Sequence, residues 1–352
     1  MGANGSTTTS LPTSESNQVN AKKVYDACRS ELGLQWGIGE MQGWQPTMED
    51  ACLARGSLSE GGQGWADTAL FAVFDGHGGS AASQFCAQHL PTAIQKGQAS
   101  IHAPDLHDAF MKVDQMFAST GNDLPPTAPE HPDHVGSTAL ACLVQHDIII
   151  VANAGDSRAV LSRNGEAVEM SQDHKPNLPQ ESDRIKKAGG LVVQRNSGPD
   201  LVNGDLAPSR AIGDFRYKKN SHLKASKQIV SCEPDIEFHK RQRSNEFMVI
   251  ASGGVWDALS SQEVVSEVGR NLEAIHHGDL KPSDVVCKIL DRCLAPNADG
   301  AKGTDNMTMI LVIFDSASQP NDSSLRAKVR SRTDASKREQ PQKRAKSLYR
   351  RN

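Results

Sequence analysis

The chain has 352 residues, 37% of them hydrophobic, and a formal net charge of −4, which allows one large domain or two ordinary ones with a sizeable core. No apolar run approaches the ~20 residues a membrane-spanning helix needs, and no hydrophobic secretion segment opens the chain, which argues against export. Seven scattered cysteines with no Cys-x-x-Cys read as reduced intracellular thiols rather than a disulfide framework or a zinc site.

Residues 1–22 are rich in Ser, Thr and Asn and nearly free of large apolar side chains. Such a segment cannot offset its ordering entropy by burial, so a disordered tail is expected there. A single folded domain is expected over 23–315. Strand-like runs include Leu70-Phe71-Ala72-Val73-Phe74, and helical periodicity follows at 80–94 and 105–119. Next come Ile148-Ile149-Ile150-Val151-Ala152 and Ala159-Val160-Leu161, with Asn164-Gly165 as a hairpin signal. A helix is expected at 180–188, a strand at Phe247-Met248-Val249-Ile250-Ala251, and helices at 262–275 and 283–294. The last is entered through Pro282-Ser283-Asp284. Met309-Ile310-Leu311-Val312-Ile313-Phe314 closes the domain. Hairpin-linked strands with several long helices imply a layered α+β domain rather than an alternating parallel one. The end, 316–352, holds 11 Lys/Arg against 3 Asp/Glu, a net of +8 that leaves −12 for everything before it. A disordered basic tail thus follows an acidic domain.

Acidic residues recur where strands are expected to end. Met48-Glu49-Asp50 follows a strand-like run. Asp75-Gly76-His77-Gly78-Gly79 stands between a strand and a helix. Asp156 lies in Gly155-Asp156-Ser157-Arg158, Asp257 follows Trp256, and Asp305-Asn306 precedes the final strand. Carboxylates at strand ends can converge on one sheet edge, an oxygen-rich setting that hard cations such as Mg²⁺ and Mn²⁺ favour. Taken singly, an Asp-Gly after a strand is ordinarily a turn and an Asp before a helix an N-cap. The set in one chain points to a metal site.

The ordered series Met41-Gln42-Gly43-Trp44, Met48-Glu49-Asp50, Phe74-Asp75-Gly76-His77-Gly78-Gly79, Gly155-Asp156-Ser157-Arg158, Asp173-His174-Lys175-Pro176, Ser209-Arg210-Ala211-Ile212-Gly213-Asp214, Trp256-Asp257 and Asp305-Asn306-Met307 resembles that of the metal-dependent type 2C protein serine/threonine phosphatases. The likeness runs over about 37–314. It implies an α+β fold, an antiparallel β-sandwich flanked by helices on both sides, with a centre of two Mn²⁺ or Mg²⁺ ions at one end. By the same resemblance Asp75 bridges both ions, Glu49 and the carbonyl of Gly76 hold one, and Asp305 holds the other. Asp156 serves a weaker outer ion, Asp50 and Asp257 orient metal-bound water, and His77 is the general acid. Two metals lower the pKa of a bridging water and neutralise phosphoryl charge, and an imidazole near neutral pKa suits proton donation to an alkoxide.

Two positions depart from the pattern. Gly253 stands where a metal-binding Asp is expected, which predicts a weakened ion site opposite Glu49. Gln45 stands where the family has an Arg that grips the substrate phosphate, and a carboxamide carries no charge and cannot clamp in two places. Losing one charge-assisted contact costs about 1.5–3 kcal/mol, one to two powers of ten in affinity. The expected activity is therefore hydrolysis of phosphoprotein monoesters in weakened form. The alternatives are a pseudophosphatase that binds phosphorylated proteins without turnover and a scaffold whose tails carry the function.

The start, Met1-Gly2-Ala3-Asn4-Gly5-Ser6, fits myristoylation at Gly2. One acyl chain anchors only marginally, and the basic tail supplies a second attraction to anionic lipid. Lys337-Arg338 and Lys343-Arg344-Ala345-Lys346 also resemble a nuclear import signal, and a merely solvated tail is the plain alternative. The expected protein is an intracellular monomer, cytoplasmic with a membrane or nuclear option, with no direct nucleic-acid binding.

Overall fold

The computed structural model describes residues 19–315 except 60–64, 66, 98–102, 122–123, 126, 130, 197 and 300–301. The expectations for the N-terminal tail with Gly2, and for the basic tail at 316–352, lie outside the described residues. The exception is the stretch just before the domain, where the first strand already starts at Lys22.

Two antiparallel sheets form the body. One carries six strands: β1 (Lys22–Arg29), β2 (Leu34–Met41), β9 (Arg158–Arg163), β10 (Glu166–Glu169), β15 (Asn245–Ala251) and β16 (Met307–Phe314), in the order β1-β2-β16-β15-β9-β10. The other carries five: β3 (Ala51–Arg55), β4 (Ala69–Phe74), β7 (Ala139–Val144), β8 (Ile148–Ala154) and β14 (Asp235–Lys240), in the order β14-β8-β7-β4-β3. A small sheet at one end joins β5 (Gly76–His77), β6 (Gly136–Ser137) and β13 (Ile212–Gly213), and β11 (Val192–Val193) pairs with β12 (Leu201–Val202).

The central strands read as unbroken apolar runs because both of their faces are buried. Along β16, Ile310, Val312 and Phe314 point into the space between the sheets, while Met309, Leu311 and Ile313 meet the helices outside. Along β4, Phe71 and Val73 face the inter-sheet core, and Leu70, Ala72 and Phe74 face out. The period of two assigns alternate residues to two different cores. Helices α1 (Ala81–Gln95) and α2 (Ala103–Thr120) cover the five-stranded sheet through Leu90, Ile94, Phe110 and Val113. Helices α4 (Ser261–His277) and α5 (Pro282–Cys293) cover the six-stranded sheet through Val264, Val268, Val286 and Leu290. A Ser260–Glu263 capping box starts α4 and Gly278, at φ 79°, ends it. The expected sandwich with helices on both faces is what the chain adopts. The expected hairpin at Asn164-Gly165 joins β9 to β10 with both residues at positive φ. No helix among the described residues is long and apolar enough to cross a membrane.

Between β10 and β14 the chain leaves the sandwich as a small lobe containing α3 (Pro179–Lys187). The buried members of its apolar cluster among the described residues are Ile185, Val202, Leu206, Ala211, Tyr217 and Val230, with Val192 and Ile229 packed against them. Ion pairs supplement it. Glu181 accepts from Arg210 Nε at 3.1 Å and Nη2 at 2.8 Å, from Arg184 Nη1 at 2.5 Å, and from Ser209 Oγ at 2.6 Å. Arg210 also reaches Asp235 at 2.7 Å.

Candidate metal centre

Antiparallel pairing gathers the acids at one end of the sandwich. Ala51 pairs with Phe74, so Asp50, just before β3, and Asp75, just after β4, leave the sheet side by side. Asp156 leaves β8 at the same end, and Asp305 enters β16 beside β2, where Met307 pairs with Met41. Asp257 differs from its expected strand-end position. Residues Gly253–Trp256 form a single helical turn after β15, and Asp257 caps its C-terminus.

The carboxylates feel one another. Burial raises the Asp75 carboxyl well above its ordinary value, and the charges of Asp50, Asp156 and Asp305 raise it further. Burial lifts Asp50 to about 7, with Asp305 and Glu40 adding to it; the Thr308 and Ser252 hydroxyls pull the other way without reaching hydrogen-bond geometry. Asp305 and Asp257 are also raised, by burial first and then by acidic neighbours that include Asp156. Each acid meets what donor it can. Lys175 Nζ donates to Asp156 Oδ2 at 2.5 Å, Gln45 Nε2 to Asp305 Oδ1 at 3.0 Å, and the Gly253 N–H to Asp75 Oδ2 at 2.8 Å. The Thr47 hydroxyl donates to Glu49 Oε1 at 2.9 Å.

With those donors in place, no three acidic, histidine or cysteine side chains among the described residues stand close enough to grip one ion as they are placed. Two observations nonetheless fit a hard divalent cation. Both carboxylate oxygens of Asp50 are buried without a hydrogen-bond partner, and the donor set is all oxygen, with a like charge that Lys175 offsets only in part. Gly76 lies close against the backbone of Glu49. A Cβ there would lie 2.1 Å from the Glu49 carbonyl oxygen, so only glycine lets these two backbones touch.

Gln45 sits at the site, exposed, with one carboxamide N–H donating to Asp305. His77 lies at the rim, with Nε2 2.6 Å from Asp214 Oδ2. Burial alone would lower its pKa; the Asp214 charge and hydrogen bond, with Asp156 and Glu49, raise it instead.

Sequence reasoning could not place several residues that shape the site, among them Lys175, a basic residue that could have compensated for Gln45. Asn306 accepts the Glu49 N–H at 2.7 Å and donates to the carbonyls of Gln42 and Thr47, fixing the loop that carries Glu49. Thr138 Oγ1 accepts the Asp75 N–H at 3.1 Å. Lys175 and Asp214 both stand inside quoted motifs, which was the available signal. Burial would lower the Lys175 pKa, but Asp156 wins and raises it to about 12, so the ammonium is a fixed positive charge among these acids.

Comparison with known proteins gives the family. The family model described as protein phosphatase 2C matches residues 34–301. Protein phosphatase 2C homolog 2 of Schizosaccharomyces pombe is 41% identical over 303 residues, covering 84% of this chain and 78% of its own length. Probable protein phosphatase 2C 58 of Oryza sativa subsp. japonica is 36% identical over 327 residues, covering 80% of this chain and 84% of its own. A solved phosphatase from a pathogenic strain of Toxoplasma gondii matches with a TM-score of 0.69 at 24% identity, over 84% of this chain and 96% of that one, and shares the fold. The chain belongs to the protein phosphatase 2C family.

Proposed function

We propose that the chain hydrolyses phosphoserine and phosphothreonine monoesters on proteins, with Mn²⁺ or Mg²⁺ as cofactor and with a weakened demand-limited metal site. The observation that carries this reading is the gathering of Asp50, Asp75, Asp156 and Asp305 at one sandwich end, with the oxygens of Asp50 buried and unpartnered. Glu49, Asp75, the Gly76 carbonyl and Asp305 would hold two ions, and Asp156 a weaker outer one. Bound ions lower the pKa of water and neutralise charge on the phosphoryl oxygens. The remaining work falls to the chain. Asp50 and Asp257 accept hydrogen bonds from water and orient it for attack on phosphorus. As the ester P–O bond breaks, its electron pair goes to the seryl or threonyl oxygen, which takes a proton from His77. Water and phosphoester become alcohol and phosphate, with no phosphoenzyme.

Weakness is proposed from two positions. Gly253 supplies Asp75 with a backbone N–H where a carboxylate would face an ion. Gln45 has no charge for the substrate phosphate. A binding protein without turnover is the second reading, and it rests on the same two residues.

Hydrolysis of a phosphothreonine peptide over a Mn²⁺ titration separates the readings. Wild type is expected to turn over only at high Mn²⁺. A Cβ at Gly253 would lie 3.1 Å from Asp75 Oδ2, so Gly253→Asp places a new carboxylate beside Asp75. An added anionic ligand should lower the Mn²⁺ midpoint by roughly tenfold. A silent wild type beside an active Gly253→Asp would establish the binding protein. An unmoved midpoint would remove Gly253 from the metal site.

A further inference from the structure

Asp214 has no role in the reaction as derived above, yet its setting is costly. It is fully buried, its Oδ1 has no hydrogen-bond partner, and its backbone sits at φ 53° in the left-handed region. A non-glycine residue there costs about 1–2 kcal/mol, and a buried carboxylate with an empty lone pair costs more. The ordinary explanation for an Asp before a helical turn is capping. The turn Phe215–Tyr217 follows directly, but the Asp214 side chain makes no capping hydrogen bond to it. Its one strong partner is His77 Nε2 at 2.6 Å, 137 positions away in sequence.

The backbone is built around that contact. In the small sheet, β6 lies between β5 and β13, so Gly136 pairs with His77 on one side and with Gly213 on the other. Asp214 follows Gly213, and its N–H donates to the Val135 carbonyl at 2.9 Å. The Gly213 N–H in turn donates to Asp114 Oδ1 at 2.9 Å, and Lys218 ties Asp114 down at 2.7 Å. Gly136 leaves the space between the two side chains open. A Cβ there would fall 2.0 Å from Asp214 Oδ2 and 2.4 Å from His77 Nε2.

We propose that Asp214 is the positioning residue for His77, holding the ring through Nε2 so that Nδ1 is the nitrogen left to deliver a proton to the departing oxygen. An ionised carboxylate only accepts, so Nε2 carries a hydrogen and the ring cannot rotate without breaking a charge-assisted bond. Asp214 does not touch the substrate. It acts by fixing the tautomer and orientation of the residue that does.

The proposal rests on the phosphatase reading for its kinetic consequence but not for its structural one. In the full chain with Mg²⁺ and ¹⁵N-labelled histidine, His77 should show a protonated Nε2 and a downfield ring proton, assigned by its absence in His77→Gln. Both signatures should vanish in Asp214→Asn. They should vanish too in Gly136→Ala, which separates the pair without altering either member. Phosphothreonine peptide turnover should fall about 10²-fold in both variants, the usual worth of a general acid. Turnover of 4-nitrophenyl phosphate, whose leaving group needs no proton, should change by less than about threefold. An ordinary His77 resonance in wild type, or equal losses on both esters, overturns the proposal. If wild type turns over neither ester, the phosphatase reading falls and the ring resonance alone decides the pair.

Discussion

Asp75→Ala is expected to abolish phosphopeptide hydrolysis, with kcat down by at least about 10²–10³-fold, the scale seen when one preorganised electrostatic element is removed. Asp75 is the acid on which the charges of Asp50, Asp156 and Asp305 all act, so its loss removes the common member of the set. The variant should still fold. Asp75 contributes an acceptor for the Gly253 N–H, worth about 1 kcal/mol, and its burial among like charges opposes the native state. The informative second readout is thermal. An ion at a hundredfold its Kd stabilises a native protein by about 2.7 kcal/mol, several degrees of Tm for a domain of this size. Wild type should show that rise on adding Mn²⁺, and Asp75→Ala should not. A variant that kept the Mn²⁺-dependent rise and turned over peptide within tenfold of wild type would show that the ions bind elsewhere.

The second large effect concerns stability. Glu181→Ala is expected to cost about 3–5 kcal/mol, because it leaves Arg184 and Arg210 buried without their shared carboxylate. The same group makes stability depend on pH. Burial alone would raise the Glu181 pKa. Hydrogen bonds from Arg210 and Ser209 and the charges of Arg184 and Arg210 overcome this and lower it from 4.5 to about 2. A depressed carboxyl pKa contributes stability that is complete above the unfolded value, near 4.5, and lost as pH falls through the folded value. That shift corresponds to about 3 kcal/mol. Urea unfolding should therefore show wild type losing stability between about pH 5 and pH 2, with its advantage over Glu181→Gln shrinking over the same window. A gap that stayed constant with pH would show that the charge on Glu181 contributes nothing.

Much of the fold was legible because the inner strands bury both faces. The runs ending at Phe74, Ala251 and Phe314 stand out without any alternation, and the five long helices show plain 3.6-residue spacing. The two-residue strands β5, β6 and β13 were not legible, since two residues carry no period. Neither was β14, an edge strand of mixed exposure with Phe238 facing out. Asp257 illustrates a local ambiguity. The apolar run before it suggests a strand end, but Gly253-Gly254-Val255-Trp256 turns into a helix first. In the site, motif order identified the acids, whereas their pairings were hidden by distance along the chain. Gln45 and Asp305 are 260 positions apart, and nothing in either neighbourhood announces the other. Gln45 looked like a failed phosphate clamp, and in the folded chain it is a hydrogen-bond donor to an acid.

The lobe between β10 and β14 has a consequence for how this protein fails under heat. Its own cluster has six buried apolar side chains and an ion network, against three large clusters for the sandwich, the first of which also takes in Ile212 and Cys232. It is tethered to the active end through β13, paired with β6, and through His174, whose Nδ1 accepts the Gly155 N–H at 3.1 Å and whose Nε2 donates to Asp235. Segments with few apolar contacts open at free energies well below that of global unfolding. Amide exchange in 179–231 should thus run ahead of exchange in the sheets. Asp214 lies within that segment, so an excursion that also opens the pairing of β13 with β6 releases His77 while the sandwich stays intact. Inactivation and melting would then be two events at two temperatures, the first reversible and the second not required for it.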